Sequence, residues 1–258
     1  MLNRDIVMPE TGVKVTLYLT NNDSVEPDRK RPLVLLCPGG GYKHRVPHEG
    51  EPVALRLLAA GIQVAIVHYS CAPAVWPQAL NELAETMVYA REHAAEWYAD
   101  PDKIATMGFS AGAHEAAALG VCWHALKWGE ACRPDAMILG YPVITAGEHR
   151  HDNSFRRLLG EDYPAKMAEV SLENLVDGRT PPTFLWHTWE DEVVPVENSL
   201  LFAAARRRAG VACEMHIYQR GRHSTGMGNS ETCRGEDWRV VPAIQNWPDM
   251  AARWLKEL

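Results

Sequence analysis

The sequence predicts an α/β fold: a mostly parallel central sheet flanked by helices on both faces, with a small lid insertion, in one domain over residues 1–258. Three observations predict it. Short unbroken apolar runs at 32–38 and 62–69 alternate with stretches of helical spacing, the pattern of strands covered on both faces. Residues 104–118 (IATMGFSAGAHEAAA) pass from an apolar run through Gly108-Phe109-Ser110-Ala111-Gly112 into an alanine-rich helix former, a sharp strand-to-helix turn. The alternation then breaks over 144–182, a polar stretch that follows a strand.

In order along the chain, residues 13–19 alternate loosely as a half-buried strand, and Asn21-Asn22-Asp23-Ser24 is turn chemistry. The run 32–38 is a doubly covered strand that ends in Gly39-Gly40-Gly41-Tyr42. A helix over 51–60, closed by Gly61, leads to the strand 62–69. Pro73 and Pro77 mark a loop, and Leu80, Leu83, Met87 and Val88 place a long helix over 80–97. Asp100-Pro101-Asp102 turns the chain into the strand before Ser110, and 136–143 is another strand. The insertion, with helical pieces at 155–159 and 164–170, leaves a strand's C-terminal end, the ligand side of such a sheet. Strand 183–187, helix 197–209 stopped by Gly210, strand 213–218, a loop carrying His223 and a closing helix over 246–258 complete the order.

The totals exclude several function classes. With 47% hydrophobic and 23% charged residues, the composition is that of a globular enzyme rather than a disordered chain. The net charge of −7 and the absence of a long basic block disfavour nucleic acid; Arg206-Arg207-Arg208 is expected as a solvated helix end. No signal-like or membrane-length apolar run is present, so no membrane partner and a cytoplasmic location are expected, with the six scattered cysteines reduced. His149, His151 and Asp152 have ligand chemistry, but no further ligand spacing supports a metal, and a solvated lid loop is expected there.

A serine hydroxyl is a poor nucleophile at neutral pH and needs a base, which in turn needs an acid to orient it. Ser110 stands at the strand end, and its partners are expected downstream, acid before histidine. Glu190, Asp191 and Glu192 compete for the acid; Asp191, separated by two residues from Val194-Pro195 and with the shorter side chain, is the choice. His223, in Gly221-Arg222-His223-Ser224-Thr225-Gly226, is the histidine in a loop directly after a strand beyond Asp191. Backbone amides must meet the charge that builds on the substrate oxygen. Gly40, Gly41 and Ala111 are the candidate donors, and the triple glycine lacks the partners of a phosphate loop. Tyr42, His114 and Trp189 are the candidate substrate contacts, with Trp76 and Trp186 also placed where they could stack on a sugar ring. His187 and His216, inside strands, are expected to be structural.

These motifs, in this order, carry a family resemblance: Pro38-Gly39-Gly40-Gly41-Tyr42, Pro77-Gln78, Asp100-Pro101-Asp102-Lys103-Ile104, the Ser110 pentapeptide, Trp186-His187-Thr188, Asp191, residues 194–200 and His223. The chain resembles the small lipase/esterase-like group of the α/β-hydrolase superfamily that includes acetyl-xylan esterases. It departs from the commoner forms at Pro38, Ala113 and Ser224. The resemblance implies a Ser110–His223–Asp191 triad and hydrolysis of short acyl esters, acetyl above all, on carbohydrates such as xylo-oligosaccharides. It implies no metal or organic cofactor and a small-molecule sugar ester as partner, and it leaves a homo-oligomer open. The alternatives are a peptidase or amidase of the same fold and a non-catalytic hydrolase-fold binding protein.

Overall fold

A computed structural model describes residues 2–258. Among the described residues eight strands form one sheet in the order β1-β2-β4-β3-β5-β6-β7-β8. They are β1 (Leu2–Val7), β2 (Lys14–Leu19), β3 (Arg31–Cys37), β4 (Gln63–Val67), β5 (Ala99–Phe109), β6 (Ala136–Gly140), β7 (Thr183–Thr188) and β8 (Cys213–Tyr218). Strands β1 and β2 pair antiparallel, β2 pairs antiparallel with β4, and every pairing from β4 to β8 is parallel. Strand β3 is buried along its whole length, and its alternate residues feed two separate cores. Leu33, Leu35 and Cys37 join the cluster under α2 (Gln78–Glu92), α3 (Ala111–Cys122) and α5 (Glu197–Ala209); Val34 and Leu36 join the cluster under α1 (Glu51–Ala59) and α6 (Trp247–Glu257). That division, set by the two-residue period of a strand, is why the run reads as unbroken apolar sequence.

Four expectations need correction. Residues 2–7 form edge strand β1, which the sequence reading passed over because Asn3, Arg4 and Asp5 interrupt any apolar alternation. The long helix stops at Glu92 rather than Trp97, although Trp97 is still buried, delivered by turns instead of a helical face. Asp100-Pro101-Asp102 stays within β5, absorbed by a register shift opposite Arg31–Leu33. Arg206 is not solvated: it is fully buried, and its guanidinium donates to the carbonyls of Pro181 and Ala212, tying the entries of β7 and β8 to α5. Among the described residues no helix is long and apolar enough to cross a membrane.

The insertion holds α4 (Asp152–Leu159) followed by short 3-10 turns. Phe155, Leu158 and Leu159 pack into the core, while Asp152 faces out and pairs with Arg150, Arg156 and the Tyr163 hydroxyl.

Candidate active site

Strand β5 and helix α3 meet at Ser110, whose backbone (φ 53°, ψ −120°) lies where non-glycine residues are strained. The two glycines of the pentapeptide answer to close packing. A Cβ on Gly108 would overlap the Gly112 carbonyl, and one on Gly112 would overlap the carbonyls of Cys37 and Pro38, so α3 is drawn tight against the end of β3. The Ser110 N–H donates to the Gly140 carbonyl at 3.1 Å, and its carbonyl accepts from His114 and Val143. The turn is thereby held between β6 and α3, with the hydroxyl left over for other partners.

That hydroxyl lies 2.8 Å from Nε2 of His223, and His223 Nδ1 lies 2.6 Å from Oδ2 of Asp191. Asp191 follows the end of β7, and its Oδ1 accepts the N–H groups of Val193 and Val194 at 3.0 and 2.9 Å. Burial opposes ionisation of this carboxyl, but hydrogen bonds from His187 and His223 outweigh it and hold the group well below the usual carboxylate range. An ionised Asp191 accepts from Nδ1–H, which leaves Nε2 as the acceptor facing the Ser110 hydroxyl. Of the three competing acids the fold brings Asp191 to His223; Glu190 reaches only the Gly221 N–H at 3.3 Å, and Glu192 is exposed. His187 is a residue the sequence reading put down as structural alone. It is fully buried, its Nε2 is 3.3 Å from Asp191 Oδ2 and 2.9 Å from the Val194 carbonyl, and Nδ1 contacts the Ser199 hydroxyl at 2.7 Å.

The cavity beside Ser110 has a volume of about 230 Å³ and is lined by Gly40, Gly41, Val46, Val193, His223 and Ser224, with Lys43, His44, His151 and Arg157. Among the described residues the N–H groups of Gly40 and Gly41 meet no protein acceptor, and Gly40 has φ +132°, where a Cβ would run into the His44 carbonyl. Ala111 begins α3, so its N–H is one of the helix's unsatisfied first-turn donors. Gly39 is held differently: its N–H donates to Oε2 of the fully buried Glu49 at 2.8 Å. Oε1 of the same carboxyl accepts from the hydroxyls of Tyr141 and Ser224, each at 2.8 Å, so Glu49 joins the glycine loop to the loop that carries His223. Nothing in the spacing around Glu49 marked it.

Three predicted substrate contacts are not at the cavity. Tyr42 and His114 are buried behind it, because Tyr42 turns under the glycine loop and His114 faces the α4 side of α3. Trp189 is 62% exposed and absent from the lining; it hydrogen-bonds through its backbone to Tyr218. Trp186 is core, stacked on Trp247 and edge-on to Tyr141, and Trp76 packs against the opposite core. In exchange the insertion supplies two residues whose placement the sequence did not reveal. His151 and Arg157 line the cavity from α4 and the residue before it, where burial and then the nearby His223 and Arg157 pull the His151 imidazole below its ordinary pKa.

Behind the glycine loop lies a buried cluster with a countable set of protons. His114 Nε2 is 2.9 Å from the Val170 carbonyl, His114 Nδ1 is 2.7 Å from the Tyr42 hydroxyl, and that hydroxyl is 2.9 Å from Glu115 Oε2. Each contact needs one proton, and three protons shared by an imidazole, a phenol and a carboxyl make the cluster neutral. Burial settles where they sit, since it pushes the Glu115 carboxyl up to about 8 and pulls the His114 imidazole down to about 4. Glu115 is therefore a neutral acid donating to Tyr42, which donates to His114, which donates to Val170.

Comparison with known proteins gives the chain its relatives. The BD-FAE family matches residues 17–205. The chain is 36% identical to endo-1,4-beta-xylanase B of Butyrivibrio fibrisolvens over 84% of its own length and 35% of that protein's. It is 29% identical to an acetylxylan esterase of Xylanibacter ruminicola, over 85% of this chain and 47% of that one. It thus spans about a third to a half of the length of these curated relatives. The crystal structure of an acetyl ester-xyloside bifunctional hydrolase from Caldicellulosiruptor lactoaceticus superposes with a TM-score of 0.84 at 34% identity, covering 95% of this chain and 88% of that one.

Proposed function

The chain belongs to the BD-FAE family, a group of α/β-hydrolase esterases, and on that footing we propose that it hydrolyses short-chain acyl esters, acetyl esters of carbohydrates in particular, through an acyl-enzyme on Ser110. The observation that carries this reading is the continuous line Asp191–His223–Ser110, with contacts of 2.6 and 2.8 Å, opening on a cavity walled by the glycine loop. His223 Nε2 takes the Ser110 proton as the hydroxyl attacks the ester carbonyl, and later gives it to the leaving alcohol. Asp191 keeps the imidazole in the right tautomer and stabilises its charged form. The amides of Gly40, Gly41 and Ala111 receive the oxyanion, a contribution worth about a hundredfold or more in rate per donor. Water then releases the acid by the same proton path in reverse.

The small cavity volume supports a short acyl group, and the names borne by relatives and structural neighbours, acetylxylan esterase and acetyl ester-xyloside hydrolase, support acetyl on a xylose-based sugar. Glycoside cleavage needs two carboxyls flanking the scissile bond, and no lining residue is an acid, so ester rather than glycosidic chemistry suits this cavity.

The test is hydrolysis of p-nitrophenyl acetate, butyrate and octanoate beside an acetylated xylo-oligosaccharide and p-nitroacetanilide, with Ser110→Ala as control. Rates falling with chain length, acetate freed from the oligosaccharide and loss in the variant are expected. Activity unchanged in Ser110→Ala rejects the nucleophile; preference for the anilide supports the amidase alternative; no turnover of any substrate supports a binding protein.

A further inference from the structure

The walls of the active-site cavity are cationic in a chain that is otherwise acidic. The protein carries 33 Asp and Glu against 26 Lys and Arg, yet the residues lining the cavity include Lys43 and Arg157 and no acid. Three carboxylates nearby are already committed, while Glu190 and Glu192 are exposed and outside the lining. Asp191 is held by His223 and backbone amides, Glu49 by Gly39, Tyr141 and Ser224, and Asp152 by Arg150, Arg156 and Tyr163. Among the described residues neither Lys43 nor Arg157 has a carboxylate within 4 Å.

Arg157 is also oriented. One guanidinium nitrogen donates to the Gly41 carbonyl at 3.0 Å, which fixes a half-buried cation against the outer side of the glycine loop with its remaining donors unspent. A half-buried guanidinium with one donor spent on a backbone carbonyl and no carboxylate partner leaves its other donors open to an anion. A neutral sugar is recognised by mixed donors and acceptors, whereas Lys and Arg only donate, and the arginine fork matches a planar carboxylate. Lys43 and His44 are exposed, so the charge they meet sits at the mouth of the cavity, where the alcohol departs, and not on the small acyl group beside Ser110.

Resting on the esterase reading above, we propose that the substrate's alcohol moiety is a sugar acid, its carboxylate bound by Arg157 and Lys43 next to the esterified hydroxyl. A uronic acid residue bearing an acetyl ester is the simplest such molecule. The reaction is otherwise unchanged: water adds across the ester bond, acetate leaves, and the free hydroxyl of the uronate is the second product.

The experiment compares kcat/KM for acetylated methyl glucuronide and for acetylated methyl glucoside, which differ only in the carboxylate, over a series of NaCl concentrations. Wild type, Arg157→Gln and Lys43→Gln are assayed, with p-nitrophenyl acetate run alongside for wild type and Ser110→Ala. The wild-type ratio is expected to favour the glucuronide by about ten- to a hundredfold at low salt, the size of a hydrogen bond to a charged group. It should shrink as salt screens the exposed mouth and fall toward one in each variant. A wild-type ratio of one or below, a ratio unaltered in both variants, or turnover of p-nitrophenyl acetate with neither sugar ester cleaved overturns the sugar-acid proposal while leaving the esterase reading intact. If p-nitrophenyl acetate is not cleaved, or is cleaved equally by Ser110→Ala, the esterase reading itself has failed and the proposal falls with it.

Discussion

Replacing Glu115 by Gln keeps a donor for the Tyr42 hydroxyl but removes the group of the buried cluster that titrates near pH 8. The consequence is a stability profile whose pH dependence changes in a known direction. Glu115 has an ordinary pKa of 4.5 when the chain is unfolded and about 8 when folded, because burial disfavours its charged form and Glu82 adds to the effect. Below pH 4.5 both states hold the proton. Between 4.5 and 8 only the folded state holds it, so the stability due to this group is lost as pH rises, by about 1.4 kcal/mol per pH unit. From pH 5 to pH 8 the loss comes to a few kcal/mol, a large part of the net stability of an ordinary domain. The variant has no such loss. It does carry an amide N–H with no partner, since Glu115 Oε1 is already without one, and that costs about 1–3 kcal/mol at every pH. Urea unfolding of both proteins at pH 5, 6, 7 and 8, followed by tryptophan fluorescence, isolates the slope from that constant offset. The difference in unfolding free energy between Glu115→Gln and wild type should rise steadily with pH. A difference that stays flat to within about 1 kcal/mol across the range would mean that Glu115 ionises as an ordinary carboxylate, and the proton count for the cluster would be wrong.

Four further outcomes are expected. Asp191→Asn should lower kcat on p-nitrophenyl acetate by about 10⁴-fold with a wild-type circular dichroism spectrum, since the amide favours the wrong His223 tautomer; a loss below tenfold contradicts the assignment. The same variant should flatten the acid limb of stability, because the Asp191 pKa is depressed in the folded state and its stabilising effect, present above the ordinary carboxylate range, is lost as pH falls; acid titrations of both proteins by fluorescence read this directly. Gly112→Ala should lower Tm, at a cost of about 1–3 kcal/mol or more, because its Cβ must displace the Cys37 and Pro38 carbonyls, and a melting curve superimposable on wild type would show that α3 is not packed as described. Gly40→Ala, strained at φ +132° and obstructed by the His44 carbonyl, should cost about 10²-fold in kcat through a displaced oxyanion amide, which steady-state kinetics on the acetate ester measures.

The chemistry-bearing order was legible because it depends on local backbone requirements. Ser110 needs small residues on either side of a strained turn, and Gly39-Gly40-Gly41 needs backbone that side chains would obstruct, so both leave marks in a few consecutive letters. Asp191 and His223 were reachable because strand ends can be counted, and parallel strands deliver their C-terminal loops to one edge. The doubly covered strands β3, β4 and β6 were legible for a related reason, as burial on both faces forces apolar residues throughout.

What a side chain faces is a tertiary matter. In a strand buried on both sides, alternation cannot say which face leads to a pocket, and so Trp186 read as a possible sugar platform when it stacks on Trp247 in the core. Tyr42 and His114 stand beside candidate catalytic residues in sequence, yet a positive-φ turn and one helical turn carry them behind the site into a neutral buried cluster. Arg157, His151 and Glu49 lie far from Ser110 along the chain and follow no spacing rule, because only the packing of α4 and of the loop before α1 onto the glycine loop brings them there. The sequence by itself determined the candidate nucleophile, its candidate partners and the architecture that aligns them, since those follow from local geometry and strand order. The tertiary structure alone decided the charge and shape of the cavity, since those depend on which distant side chains meet across it.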